Sequence, residues 1–145
     1  MRKKILSCFC ALALLLSLAG PTIAYASEKT SSTITPRSAP ATFTFALKRG
    51  AASSKSDLAP KNDTTAAEVY AQGGYMATGD IIHFRVRTSD GVSATNLYDI
   101  ESPTESIPAL WYINNLGVPG NFYLYANADA SNYSQTVNVH GTWYP

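Results

Sequence analysis

In residues 136–145, "TVNVHGTWYP", Val137, Val139, Gly141 and Trp143 alternate with Thr136, Asn138, His140 and Thr142. A period of two marks a half-buried strand, because successive side chains leave a pleated strand on opposite faces. Trp143 shares the parity of the two valines, so this reading buries it on the inner face of a sheet. Gly141, mid-strand, points to a bulge or a close neighbouring backbone.

The same period recurs upstream. "DIIHFRVRT" (80–88) sets Ile82, Phe84 and Val86 against His83, Arg85 and Arg87. "TFTFALK" (42–48) alternates Phe43, Phe45 and Leu47 with threonines and Ala46, and "NFYLYANA" (121–128) sets Phe122, Leu124 and Ala126 against Tyr123, Tyr125 and Asn127. Residues 64–71 alternate again, with Thr65, Ala67, Val69 and Ala71 against Glu68 and Tyr70, and "IPALWYI" (107–113) reads as a strand in which Pro108 fits only near a start or on an edge. The core expected from these parities is Phe43, Phe45, Ile82, Phe84, Val86, Trp111, Phe122, Leu124, Val137, Val139 and Trp143.

Between the strands lie breakers. "QGGY" (72–75) reads as an interruption, "SDG" (89–91) and "DASN" (129–132) as turns, and "VPGN" places Pro119 and Gly120 at the centre of a type II turn. Lys48–Asp63 reads as a long polar loop, and 94–106 is polar and ambiguous. Six or seven short strands rich in Val, Ile, Thr, Tyr, Phe and Trp, with almost no helical period, predict an all-β protein. The expected form is a small antiparallel β-sandwich, immunoglobulin-like, with a small β-barrel as the alternative.

Ahead of this domain, Arg2, Lys3 and Lys4 precede an apolar run over 5–19 and an A-x-A site at Ala24–Ala26. That is the pattern of a signal peptide over 1–26, with the product exported from Ser27. Both cysteines, Cys8 and Cys10, fall in that segment, so the exported chain is expected to be cysteine-free. Residues 27–40, rich in Ser, Thr and Pro, read as a flexible tether, because they hold too little apolar surface to offset ordering entropy. The β-sandwich domain then occupies 41–145.

Charge and motif content narrow the chemistry. Without 1–26, eight basic residues face ten acids, a formal −2, which lacks the basic excess of a nucleic-acid binder. After signal cleavage no segment is long and apolar enough to predict a transmembrane span. There is no G-x-S-x-G elbow, no H-E-x-x-H and no glycine-rich phosphate loop. Asp90, Asn96, Asp99 and Glu101 cluster in sequence but not at the spacing of a calcium-binding loop. His83 and His140 read as outward strand residues. The expectation is a protein that is not an enzyme and holds no cofactor or metal.

Two outer-face features remain. His83, Arg85 and Arg87 form a basic stripe, suited to an anionic polymer or headgroup, or serving only to keep an outer face soluble. Tyr112, Tyr123 and Tyr125 all oppose the inward parity of their strands. Such a face offers flat, amphipathic area to a protein partner or to sugar rings, or simply fits a pleated surface. The sequons at Asn62 and Asn132 would matter only in a eukaryotic secretory pathway.

The exported N-terminus, the F-x-F of Phe43 and Phe45, "PKND" at 60–63 and the G-x-W-x-P of Gly141, Trp143 and Pro145 carry a family likeness. Together they resemble an uncharacterised family of small secreted proteins of Gram-positive bacteria, some of which are similar to lactococcin-type bacteriocins. The resemblance implies an extracellular interaction role, with an extracellular protein or cell-surface component as partner. It transfers no catalytic residue.

Overall fold

The computed structural model describes residues 37–145. The expected signal segment, both cysteines and most of the expected tether lie outside the described residues.

Nine strands form two packed antiparallel sheets: β1 (Ala41–Lys48), β2 (Ser54–Lys55), β3 (Ala59–Lys61), β4 (Ala67–Tyr75), β5 (Ile82–Thr88), β6 (Tyr98–Ile100), β7 (Ser106–Leu110), β8 (Gly120–Ala128) and β9 (Thr136–Tyr144). One sheet runs β1-β9-β4-β7; the other runs β2-β8-β5-β6, with β3 also paired to β8. It is an open sandwich, not a closed barrel. Among the described residues no helix is long and apolar enough to cross a membrane.

The order of strands departs from the immunoglobulin arrangement. β9 lies between β1 and β4 rather than beside β8, whereas immunoglobulin sheets place the last strand beside the one before it. If β2 and β3 are taken as one interrupted strand, the pairs are first with last, second with second-last, third with third-last, and the two middle strands. That nested pairing is the wrapped hairpin of a jelly roll. It arises because the chain between the hairpin arms keeps alternating between the two sheets.

The predicted parities hold for the long strands. Phe43, Phe45, Ile82, Phe84, Val86, Phe122, Leu124, Val137 and Val139 are buried, and Trp143 is fully so. Phe43, Phe45 and Phe84 form an aromatic cluster with centroids 5.4–6.3 Å apart. Gly141 is the close approach its position predicts. It pairs with Phe43 on one side and Ala71 on the other, and a Cβ there would overlap the Tyr70 carbonyl oxygen.

Trp111 corrects the expected core: it is 67 % exposed. β7 pairs Ala67 with Leu110 but Val69 with Ile107, so three steps on β7 match two on β4. The extra residue resets the parity, Leu110 takes the inward place, and Trp111 turns out beyond the strand. Pro108 meets no conflict because β7 is the edge of its sheet.

Three segments differ from their sequence reading. "QGGY" does not end β4, which continues to Tyr75 through a register shift between Ala71 and Gly73. The loop over 48–63 contains β2 and β3, both paired with β8. The type II turn at Pro119–Gly120 is not formed: Gly120 lacks a positive φ and opens β8 opposite Lys61. The turn is instead Ile113–Leu116, where Asn114 and Asn115 have φ of 53° and 58° and Leu116 N donates to Ile113 O at 3.0 Å. Two consecutive positive φ values make it type I′.

Candidate functional site: the outer face of the five-stranded sheet

Outward parity on β5 and β8 places the predicted basic stripe beside two of the predicted tyrosines. In register, Arg85 faces Tyr125, Arg87 faces Tyr123 and His83 faces Asn127. Lys55 of β2 lies beyond Tyr125 on the other side. The rings of Tyr123 and Tyr125 meet edge to face, with centroids 6.3 Å apart at 88°. Lys55 Nζ is 4.4 Å from the Tyr123 centroid, and the Arg87 guanidinium is 4.6 Å from that of Tyr125. Lys55 is exposed and Arg87 half-buried, so each cation–π contact is worth about 0.5–1 kcal/mol. Arg85 Nη1 donates to Ser93 Oγ at 3.2 Å. The result is a ladder of alternating rings and cations, half-buried at Arg85, Arg87, Tyr123 and Tyr125 and exposed at Lys55.

His83 is not a free member of the stripe. Its Nδ1 lies 2.6 Å from Asp99 Oδ1 and its Nε2 2.8 Å from Asp129 Oδ2. Each ring nitrogen faces a carboxylate, so both are satisfied as donors only when the imidazole is protonated. Burial opposes that charge, but the two carboxylates outweigh it and raise the His83 pKa. The Asp129 carboxyl is lowered to about 2, first by Ser131, whose hydroxyl and main-chain N–H both donate to it, and then by His83. With neither nitrogen open to a nucleophile, His83 is not arranged as a general base. Ser131 bonds the carboxylate rather than the imidazole, which is not the order of a hydrolase triad. His140 is exposed on β9, away from this face.

Tyr112 does not join the other tyrosines. Its ring packs against the inward Phe122, centroids 5.3 Å apart at 62°, and its hydroxyl is buried without a partner. Burial, with the Asp63 carboxylate nearby, pushes its pKa up. The same register change that exposes Trp111 draws Tyr112 inward. The three-tyrosine face is thus a pair, Tyr123 and Tyr125, completed by cations.

Beside Tyr112 lies a polar group that the sequence reading missed. Lys61, 1 % exposed, alternates inward from β3, and its Nζ donates to Asp63 Oδ1 (2.8 Å), Thr65 O (2.7 Å) and Pro145 O (3.0 Å). Asp63 also accepts from Ser38 N and Oγ and from Thr65 N and Oγ1. Desolvation would raise the Asp63 pKa, but these hydrogen bonds overcome it and hold the carboxyl far below the usual range. Every polar atom of the pair is engaged, which identifies a clasp joining β3, the β3–β4 loop and β9. Ser38 is part of it, and Arg37 pairs with Glu68 at 2.5 Å while lying 4.3 Å over Tyr144. Residues 37 and 38 are therefore docked on the domain, not part of a tether.

Among the described residues no group of three or more His, Cys, Asp or Glu is placed to hold a metal ion. Asn132 is buried, with Oδ1 accepting from Ile81 N and Nδ2 donating to Ile81 O, so its sequon is closed to modification. No family model, curated protein or solved structure matches the chain.

Proposed function

We propose that the protein is a secreted, non-enzymatic extracellular interaction protein, bacteriocin-like in mode of action, that docks an extracellular protein on the tyrosine–cation ladder. The observation that carries this reading is the alternation of Tyr123 and Tyr125 with Lys55, Arg85 and Arg87 on one regular sheet face. Tyrosine and arginine are the residues that anchor protein interfaces: both present rigid or pre-organised area, and both combine apolar contact with a polar tip. The face carries cations beside the carboxylates Asp99 and Asp129, so a partner with both signs of charge is complementary to it.

The competing reading, a carbohydrate- or cell-wall-binding module on the tyrosine face, asks for bare ring faces. Each of the two rings already carries a cation. Sheet rigidity favours the protein-docking reading further, because the ladder needs no reordering on contact. The test compares binding of wild type and Tyr123→Ser/Tyr125→Ser to intact Gram-positive cells before and after protease treatment of the cell surface. Loss of a protease-sensitive component in the variant, with cooperative unfolding retained, supports the reading; equal binding by both proteins refutes it.

A further inference from the structure

Three loops gather at the end of the sandwich where β3, β5 and β7 finish: 62–66, 89–97 and 111–119. Four large apolar side chains are exposed there: Val92, Leu97, Trp111 and Val118. Between the first and third loops runs a shallow groove of about 300 Å³, lined by Thr64, Thr65, Trp111, Tyr112, Asn115 and Val118 with two small residues. None of the lining side chains is charged. Lys61 and Asp63, which lie beneath, satisfy one another and are closed to a ligand.

The geometry points to this groove as a binding site for a neutral saccharide, with the Trp111 indole as the stacking platform. Three properties argue for it together. Trp111 is the largest exposed ring in the domain and has no ring or cation partner among the described residues, unlike Tyr123 and Tyr125. Its rim neighbours, Thr64 and Asn115, bring a hydroxyl and an amide, which pair donors and acceptors with sugar hydroxyls. The absence of charge selects against phosphate, carboxylate and cationic ligands, which need an opposite partner when desolvated. A ring with one apolar C–H face and an equatorial belt of hydroxyls fits all three.

The wall is also preformed. Asn114 and Asn115 occupy consecutive left-handed positions of the type I′ turn, and Leu116 N closes it onto Ile113 O. A Cβ at Gly117 would stand 2.9 Å from Tyr112 Cβ, so glycine lets the loop lie against that ring. A lipid surface is the rival occupant of an apolar tip. Inserting this end would strip water from Asn114, Asn115 and Thr64 without replacing their hydrogen bonds, which is costly in hydrocarbon. The site is separate from the ladder and does not depend on it.

The chain has two tryptophans, and Trp143 is fully buried, so a ligand in the groove changes the emission of Trp111 alone. The full exported chain is titrated with chitohexaose, with cellohexaose and with phosphatidylcholine vesicles. The expected result is a saturable blue shift with a neutral hexasaccharide and none with vesicles. Trp111→Ala, followed by calorimetry, should bind at least ~10-fold more weakly, a loss of ~1.4 kcal/mol, with an unchanged melting temperature. Trp111→Phe should retain most of the affinity, and Asn115→Gly, which keeps the left-handed turn but removes the amide, should lose part of it. No saturable change with either hexasaccharide, a shift with vesicles instead, or wild-type affinity in Trp111→Ala would each overturn the assignment.

Discussion

Lys61 is the residue at which sequence reading and structure part most clearly. A lysine inside "PKND" reads as surface, because lysines are almost never fully buried unless paired. Its pairing comes from Asp63 two residues on, Thr65, and Pro145 at the far side of the sequence. Only the last needs the fold, yet without it the cluster has no reason to close. Replacing Lys61 with Met keeps the bulk but strands a buried carboxylate, and Lys61→Met should cost ~3–5 kcal/mol in urea unfolding. The double variant Lys61→Met/Asp63→Leu should recover much of that loss, since two apolar side chains leave no buried charge. Equal instability of both proteins would mean that the stranded carboxylate is not the source of the loss, which contradicts the buried-pair account.

His83 gives a second test at the same scale. Its folded pKa is raised, so the stabilisation from the two carboxylates is fully present below the unfolded histidine value of about 6.5. It is lost as pH rises through the higher folded value. The melting temperature of wild type should therefore decline above about pH 6.5, and His83→Gln should flatten that decline. Parallel curves for the two proteins would contradict the clamp. Asp99 and Asp129 lie 16 and 46 residues from His83, so the sequence alone showed an outward histidine and not its partners.

At the scale of elements, legibility follows length where the register is regular; β4 has nine residues, but its shift between Ala71 and Gly73 hides its second half. β1, β5, β8 and β9 have seven to nine residues each, enough turns of the alternating pattern to declare both faces. β2 has two residues and β3 three, too few for any period, and their pairing with β8 is visible only in the fold. β7 misleads for another reason: one extra residue shifts its parity, and period-two reading carries that error straight to Trp111 and Tyr112. The candidate site inherits the same split. Tyr123, Tyr125, Arg85 and Arg87 are legible because they ride on long strands, whereas Lys55 is not.

β9 ties the four-stranded sheet together, between β1 and β4. Truncating its fully buried indole, Trp143→Ala, should cost ~3–5 kcal/mol, a large share of the stability of a domain held at 5–15. Gly141→Ala adds one methyl, but it would push on the Tyr70 main chain, which cannot swing aside as a side chain could. It should lower the melting temperature more than alanine at outward Asn138 does. If Gly141→Ala melts like wild type, the close approach of β4 and β9 is wrong.

For the whole molecule, alternation predicted a sandwich but not its wrapping. Strand order is decided by which edges remain unpaired once each hairpin closes, and that information lies in contacts far apart in sequence. The jelly-roll order has a functional consequence: it brings the first and last strands into one sheet and leaves β8 and β5 central in the other, with their outer face as an uninterrupted surface. The same order collects the 62–66, 89–97 and 111–119 loops at one end. A fold of this kind hosts many functions, so the assignment rests on the ladder and not on the architecture.

The ladder's role is measured most directly by calorimetric or surface-capture binding to intact Gram-positive cells, with Tyr125→Ser/Arg87→Glu beside wild type. The account predicts that protease treatment of the cells removes a component of wild-type binding. The double variant should lack that same component while retaining a cooperative unfolding transition and whatever binding Trp111 supports. Undiminished, protease-sensitive binding by the double variant would contradict it.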